Sequence, residues 1–513
     1  MTSTTIDGRD ITRSARTVIL LAIVGQFVAF LRTAIIAASF GASHVVDSYY
    51  LGTVAPSFIA TVFVGCLQVA FLGRYAGLLA KGDADLAHAY RSRMLAFVVA
   101  TSILATLVCV WRPDVIFGVF LPGNRDAGAL GGAIALSGIA YSLVPMISAD
   151  FLGLVMNAHG RFFSAALAPV VNAAVSVAAL VLWPSIDMSA LVWTLVIGSC
   201  AQLLVIVVGA WRAGLVFSLR STLARSEVWT TLALSLPILP AIMLSNSANA
   251  ILQFRTAELG EGGIAILNYA LKLYFAISQV LVIGFGTVLL PHFASQWALG
   301  HHQEIATMLR RLSRIGIVVC AFLFFCVATL GVPTVSVLLR RGQFNDALSV
   351  HVADIWLVLT LSVFPLALGT FIAKLAQAAR RSTLILISSA LSFCITWIVA
   401  TIGARNGSLV TVALSFVATF TATTIFWLVW LIRVNPAAKS IIPESAKSFF
   451  IALLLIAPLA ILDVYIKRLT SDWPVLVDLV ARGAAYSILF GGMAYALQVR
   501  TKFFSMLDVP KYG

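Results

Sequence analysis

Long apolar runs, separated by short stretches with Gly, Pro or charge, dominate this chain of 513 residues. A membrane-spanning helix needs ~20 mostly apolar residues, and runs of about that length recur along the sequence. They lie near 17–39, 47–72, 94–111, 129–155, 163–183, 190–210, 228–253, 263–292, 315–338, 349–376, 383–403, 409–432, 447–466 and 475–498. Backbone polar groups in lipid must be satisfied within the segment, and the runs lack the alternation of barrel strands. The sequence therefore predicts an all-α integral membrane protein with about 14 transmembrane helices.

Composition agrees with this class. The chain is 61% hydrophobic and 11% charged, whereas a soluble domain carries about 25% charged residues. The net charge of +14 comes from residues in loops, without interleaved aromatics, so we expect no nucleic-acid partner. The cysteines all fall in apolar runs and form no CxxC pair; they are Cys66, Cys109, Cys200, Cys320, Cys326 and Cys394. We interpret them as small buried hydrophobic residues and expect neither disulfides nor a metal site.

Basic residues are concentrated in alternate loops. One side holds Arg9, Arg13, Arg16, Arg74, Lys81, Arg91, Arg93, Arg161, Arg212, Arg220, Arg225, Arg310, Arg311, Arg314, Arg380 and Arg381. The other side holds fewer, among them Arg112, Arg125, Arg340, Arg341 and Arg405. Basic loops remain in the cytoplasm, and an even number of spans puts both termini on one side. We therefore expect a multi-pass protein of the bacterial inner membrane with both termini cytoplasmic.

Two pairs of segments resemble each other at an offset of about 219 residues. Residues 78–93 resemble 296–311, between a second and a third span, and residues 157–163 resemble 376–382, between a fourth and a fifth span. These similarities predict two parallel six-helix lobes, residues 1–222 and 223–435. Residues 436–513 then hold helices 13 and 14 and a cytoplasmic tail. Transporters built from repeats bind substrate near the midplane, at the repeat interface.

Two cations lie deep within predicted spans. Arg32 is about fifteen residues into the first span, or ~22 Å, and Lys272 is about nine residues into the eighth, or ~14 Å from the opposite side. In ~30 Å of hydrocarbon these depths nearly coincide. Arginine grips phosphate bidentately and lysine binds it as a point charge, so the pair suits a diphosphate. The alternative is that Arg32 pairs with Asp47 and only fixes helix packing.

Three further residues are weaker candidates for substrate binding. Asp47 begins the second span, where it pairs with Arg32, gates the outer face or is a simple interfacial carboxylate. Arg255 and Lys374 lie near span ends, where snorkelling to the headgroups also explains them. The i,i+4 spacing of Asp478 and Arg482 predicts a structural ion pair.

No catalytic constellation is present. The sequence contains no GxSxG, no P-loop and no HExxH, each of which marks a known chemistry. We therefore expect no enzyme, no cofactor and no catalytic residue, and no direct coupling to ATP hydrolysis.

Several short motifs resemble one family. The run 157–162 (NAHGRF) with Ala168, Pro169 and Asn172 resembles the fourth-to-fifth helix junction of the MurJ/MviN lipid II flippases, in the multidrug/oligosaccharidyl-lipid/polysaccharide exporter superfamily. Segments 32–35, 40–42, 47–50, 284–291 and 341–344 resemble further motifs of this family. The resemblance implies fourteen helices, two six-helix lobes and a cationic central cavity. It also implies a hydrophobic groove at helices 13 and 14 that holds a lipid tail.

The chain departs from the family pattern at several positions. Gln26, Ala60 and Thr61 stand where the family usually has arginines, and the eighth-helix motif ends in Leu271 and Lys272 rather than Asp and Arg. These departures favour a relative that moves another polyprenyl-linked glycan, of the capsule or exopolysaccharide type.

The hypothesis from sequence is a flippase. It carries a polyprenyl-diphosphate-linked glycan from the cytoplasmic to the periplasmic leaflet by alternating access, driven by membrane potential or an ion gradient. Its expected partners are the lipid-linked sugar, membrane lipids and glycosyltransferases or a polymerase. The alternatives are a lipid II flippase proper, a multidrug antiporter of the same superfamily, a non-transporting scaffold of cell-envelope synthesis and a membrane glycosyltransferase.

Overall fold

A computed structural model describes residues 8–120, 127–215, 217, 225–379, 381–470 and 472–501. Within these ranges every regular element is a helix. The first ten α-helices are α1 (Gly8–Phe40), α2 (His44–Ala80), α3 (Ala84–Trp111), α4 (Pro113–Phe120), α5 (Ala127–Ile139), α6 (Leu143–Ala158), α7 (Phe162–Leu182), α8 (Met188–Arg212), α9 (Arg225–Ser235) and α10 (Leu239–Ala257). The others are α11 (Gly263–Ala298), α12 (His302–Leu339), α13 (Asp346–Thr360), α14 (Val363–Ala378), α15 (Ser382–Arg405), α16 (Leu409–Val434), α17 (Ile441–Leu469) and α18 (Val475–Thr501). Arg125, Arg220, Arg380 and the predicted tail beyond residue 501 lie outside the described residues.

The predicted spans fall on these helices. In the described part of the chain, 12 helices are long and apolar enough to cross a membrane, or up to 13 if the bent pair Ser226–Ser235 and Leu239–Ala257 is one span. This pair bends by 54°, where Pro237 and Pro240 remove backbone donors. The remaining predicted span, 263–292, falls on α11, whose shorter apolar stretch is Gly263–Ser278.

The first compact unit is Met1–Ala265. In it α2 packs against α5 and α10, α3 packs against α6, and α7 packs against both α1 and α8. An aromatic cluster lies at the meeting of α2, α3 and α6, where the Phe71 ring centroid is 4.8 Å from that of Phe151 and 5.1 Å from that of Tyr75. Such ring pairs add to the stabilisation from apolar burial.

The second compact unit is Ile266–Gly513. In it α12 packs against α13 and α17, α16 packs against α14 and α15, and α18 packs against α12 and α17. Phe322 on α12 stacks on Phe490 on α18, with ring centroids 4.1 Å apart. The final two helices are therefore built onto α12.

The prediction that every cysteine is buried is wrong for Cys200 and Cys394, and Cys320 and Cys326 are only half-buried. Cys66 and Cys109 are buried, but Cys200 and Cys394 are exposed on α8 and α15. In a membrane protein an exposed helix face meets lipid, which accepts a small apolar side chain as readily as the interior does.

Matching junctions recur about 219 residues apart. Gly82 and Gly300 follow the second span and the eighth, with φ of 75° and 73°. Arg161 (φ −91°, ψ 58°) and Arg381 (φ −92°, ψ 64°) precede the fifth and the eleventh predicted spans. The compact units divide after Ala265. This boundary follows the packing of the helices and differs from the repeat boundary predicted at residue 222. The division into lobes 1–222, 223–435 and 436–513 stays a prediction, which the matched junctions favour.

Candidate functional site

Arg32 on α1 is held by two other helices of the first unit. Its Nη1 donates to the hydroxyl of Tyr49 on α2 at 2.6 Å, and its Nη2 donates to the carbonyl of Leu191 on α8 at 2.9 Å. Nη2 also lies 3.5 Å from the hydroxyl of Thr194. The guanidinium carbon is 5.4 Å from the centroid of the Tyr49 ring, a cation–π contact. Arg32 therefore ties α1 to α2 and α8.

The predicted alternative pairing of Arg32 with Asp47 is wrong for this structure. The hydrogen-bond partners of the Arg32 guanidinium among the described residues are Tyr49, Leu191 and Thr194, and its buried Nε has no such partner there. The terminal nitrogens of Arg32 are thus engaged with protein, while its Nε is left for a further acceptor. A substrate-binding role for Arg32 stays a prediction.

Asp47 instead joins the start of α2 to the start of α11. Its Oδ2 accepts from the backbone N–H of Gly262 at 2.6 Å, and its Oδ1 accepts from that of Ala265 at 2.8 Å. In return, Glu261 Oε1 accepts from the backbone N–H of His44 at 2.9 Å. Each carboxylate satisfies donors at the positive end of the other helix. We call these five residues the reciprocal clasp.

Gly262 allows the clasp to close. Its φ is +85°, and a Cβ at this position would lie 2.8 Å from the carbonyl oxygen of Ala42. Only glycine adopts this backbone conformation readily, and only glycine leaves room for Ala42. Gly260 also has a positive φ, +99°, but nothing lies within 4 Å of its virtual Cβ.

Arg255 and Lys374 have different environments. Arg255, near the end of α10, donates from Nη1 to Glu258 Oε1 at 2.6 Å, and the two form an i,i+3 ion pair. Snorkelling is therefore not needed to explain its position. Lys374 is half-buried near the end of α14, between the half-buried Ala373 and the buried Leu375. A substrate-binding role for Arg255 or Lys374 stays a prediction.

Lys272 on α11 is exposed, whereas Leu271 and Leu273 on either side of it are buried. Asp354 on α13 is likewise exposed between buried neighbours. The sequence analysis missed Asp354, although a charge within an apolar run was visible. Charged residues within a span are rare and mark functional positions, so both residues of the second unit are site candidates.

The predicted ion pair between Asp478 and Arg482 is confirmed, at 3.3 Å, and it belongs to a larger network. Arg482 also contacts Asp463 on α17 and donates to the carbonyl of Thr329 on α12 at 3.3 Å. The hydroxyl of Tyr486 donates to Asp463 as well. Because the Arg482 side chain is only 4% exposed, this network ties α18 to α17 and α12.

The candidates divide between the units. Arg32, Asp47 and Arg255 lie in the first, and Lys272 and Lys374 lie in the second. In the part of the chain that the structure describes, no three His, Cys, Asp or Glu residues are grouped so as to hold a metal ion.

The sequence and fold are similar to those of known proteins. The sequence model of the family described as "Lipid II flippase MurJ" matches residues 36–482. A probable lipid II flippase MurJ of Rhizobium tropici is 25% identical over 67% of this chain, which spans 65% of that relative's length. A MurJ of Burkholderia cenocepacia is 24% identical over 65% of the chain and 66% of its own length.

A solved structure shares the fold over nearly the whole chain. It is a lipid II flippase MurJ in an inward closed conformation, with a TM-score of 0.77 and 16% identity, covering 94% of this chain and 100% of its own. At this identity the likeness supports the fold alone.

Proposed function

This chain belongs to the MurJ family of lipid II flippases, and we propose that it moves lipid II from the cytoplasmic to the periplasmic leaflet of the inner membrane. The family match over residues 36–482 carries this proposal, because it covers nearly all the helices. Lipid II is a polyprenyl-diphosphate-linked peptidoglycan precursor. The predicted capsule or exopolysaccharide precursor becomes the second candidate, favoured by the departures from the family pattern at Gln26, Ala60, Thr61 and the Leu271-Lys272 pair.

The diphosphate of the substrate is bound by cations within the spans. Arg32 offers its unpartnered Nε and, after release from Tyr49 and Leu191, a full guanidinium face. Lys272 is an exposed cation between the buried Leu271 and Leu273. A phosphate that replaces the protein acceptors of Arg32 forms charge-assisted hydrogen bonds, which are stronger than neutral ones. Arg255 and Lys374 assist nearer to the span ends.

The reciprocal clasp gates one end of the pathway. Asp47 and Glu261 hold the starts of α2 and α11 together through backbone donors, and these bonds break without loss of either helix. The clasp is therefore a reversible latch, as alternating access requires. With both termini cytoplasmic, it lies at the periplasmic end.

The polyprenyl tail stays in lipid along α17 and α18. These helices carry large exposed apolar side chains, among them Leu454, Ile461, Val464, Val480 and Ile488. Such a surface is compatible with an isoprenoid chain because both are apolar. Enzymes that make or polymerise the precursor are the expected protein partners.

Depletion of this protein in its host tests the choice of substrate. If the substrate is lipid II, depletion stops peptidoglycan synthesis, and cells lyse while cytoplasmic-leaflet lipid II accumulates. Re-expression of the wild-type chain restores growth, and the Arg405→Ala variant, which alters an exposed residue at the end of α15, does the same. Normal growth with loss of a surface polysaccharide would instead support the second candidate.

A further inference from the structure

A chain of polar side chains crosses three helices of the first unit. Ser176 on α7 donates from its hydroxyl to Asn172 Oδ1 at 3.3 Å, and Asn172 Nδ2 donates to Gln202 Oε1 on α8 at 2.7 Å. Gln202 Nε2 then donates to Asp150 Oδ1 on α6 at 3.1 Å. We call these four residues the Asp150 chain. Neither the diphosphate site nor the reciprocal clasp includes any of them.

Every bond in the Asp150 chain donates toward the carboxylate. Hydrogen bonds arranged head to tail polarise one another, so the chain favours negative charge on Asp150 when the proton is absent. The second carboxylate oxygen, Oδ2, has no hydrogen bond from the described residues. It is the carboxylate oxygen left available, because Oδ1 already accepts from Gln202.

The Asp150 chain lies in the middle of the membrane. Asp150 is about eight residues from the end of α6, or ~12 Å, while Asn172 and Gln202 are each about ten residues from the same end of α7 and α8, or ~15 Å. The hydrocarbon core is ~30 Å thick. Asp150 is only half-buried, so its carboxylate is not sealed from small species such as a proton.

No counter-charge reaches Asp150. It is the only charged residue of α6, which packs against α2, α3, α7 and α8. The charged and titratable groups on these four helices are His44, Asp47, Tyr49, Tyr50, Cys66, Arg74 and Tyr75 on α2, Asp85, His88, Tyr90, Arg91, Arg93 and Cys109 on α3, and Cys200 and Arg212 on α8, with none on α7. Burial and the Gln202 hydrogen bond are the influences on the Asp150 carboxylate from the described residues.

The helices approach closely at this point because of Gly198. A Cβ at Gly198 on α8 would lie 2.6 Å from Asn172 Oδ1 and would also overlap the hydroxyl of Ser176. Glycine thus lets α8 come near enough to α7 for the bond between Asn172 and Gln202 to form. The Asp150 chain therefore depends on the close approach of α7 and α8 at Gly198.

We propose that Asp150 is the proton-binding group that couples transport to the proton gradient. This inference rests on the proposed flippase function and names its coupling ion. A proton from the periplasmic side forms an O–H bond at Asp150 Oδ2, and that bond later breaks to release the proton to cytoplasmic water. No electrons are transferred. A proton suits the site better than a metal cation, because a single carboxylate oxygen is available and metal ions need several oxygen ligands.

The test is transport in vesicles with the electrical potential held at zero by potassium and valinomycin. Purified full-length protein is reconstituted with a fluorescent lipid II analogue, and its distribution between leaflets is measured with and without a pH difference of one unit. One proton exchanged per substrate shifts the steady-state distribution by up to about tenfold. We expect this shift for the wild type and none for Asp150→Asn, which still equilibrates the lipid. Asp187→Asn is the matched control, since Asn also caps the start of α8, and it keeps the full shift.

The outcomes separate the two proposals. If wild-type protein moves no lipid II, the proposed function fails. If it moves lipid II but the pH difference has no effect, or Asp150→Asn still responds, the proton proposal alone is overturned. A shift driven by a sodium gradient in place of pH also overturns it.

A second measurement does not depend on the folding of any variant. Dicyclohexylcarbodiimide modifies protonated carboxyl groups in apolar surroundings, and mass spectrometry locates the modified residue. We expect modification of wild-type Asp150 at pH 6 that falls several-fold at pH 9. An unmodified Asp150 at both pH values would contradict the proposal.

Discussion

Single carboxylates in this protein act according to which donors surround them. Asp47 accepts from two backbone N–H groups at the start of α11, whereas Asp150 accepts from one neutral amide. The sequence indicated that Asp47 was important but gave it the wrong partner. Its true partners are more than two hundred positions away in the chain, and no local pattern connects them. Arg255, by contrast, pairs with Glu258 three positions later, a local i,i+3 spacing that the sequence analysis missed.

The Gly262→Ala variant tests the reciprocal clasp at the scale of one residue. A methyl group there is strained by the positive φ and lies against the Ala42 carbonyl, so the clasp loses about 1–2 kcal/mol. That loss raises the open fraction roughly 5- to 30-fold. We expect a matching rise in the rate of maleimide labelling at a cysteine in place of Ser43, in a background without the native cysteines.

Gly260→Ala is the control for this variant. It carries the same kind of backbone strain without the contact, so its labelling rate should rise less than that of Gly262→Ala. Equal rates for both variants would show that the contact with Ala42 does not hold the clasp closed.

At the scale of helices, proline residues accompany three breaks within the predicted spans. Pro237 and Pro240 mark the bend between α9 and α10, because proline removes a backbone donor. Pro145 and Pro365 lie in the first turns of α6 and α14, directly after the breaks from α5 and α13, where the sequence predicted continuous spans. A short 3-10 turn, Ala140–Ser142, forms the first of these breaks. A proline in the first turn of a helix cannot donate to the carbonyl four residues earlier, so the preceding helix ends there. The sequence analysis missed the consequence of these two prolines.

The Arg482→Gln variant tests how α18 is attached. It leaves Asp463 and Asp478 without their buried cation, and loss of one partner from a buried ion pair costs about 3–5 kcal/mol. We expect thermal unfolding of the purified protein at a clearly lower temperature. Arg405→Gln, at an exposed helix end, should unfold like the wild type.

Adding Asp463→Asn and Asp478→Asn to Arg482→Gln should recover part of the lost stability, since the carboxylates no longer need a cation. An unchanged unfolding temperature for Arg482→Gln alone would mean that the network contributes little to the attachment of α18.

At the scale of the whole molecule, hydropathy was enough to predict a multi-pass helical protein. Apolar runs are read directly as spans because lipid leaves backbone groups no other partners. The family motifs predicted the fold that the solved MurJ structure shares. The substrate was harder to predict from the sequence than the fold. Departures from the family pattern such as Gln26, Ala60 and Thr61 favoured an exopolysaccharide precursor, whereas the family match over residues 36–482 favours lipid II. Substitutions in a binding site change affinity and substrate without changing the pattern of spans.

The central claim is that Arg32 and Lys272 bind the diphosphate of a lipid-linked substrate during transport. Its most direct test is translocation of fluorescent lipid II in vesicles containing the wild type, the double variant Arg32→Ala/Lys272→Ala or the control Arg405→Ala, reconstituted in equal amounts. We predict at least a roughly hundredfold lower rate for the double variant, since two charge-assisted contacts are each worth about 1.5–3 kcal/mol, and an unchanged rate for the control. A double variant that transports lipid II as fast as the wild type would contradict the claim.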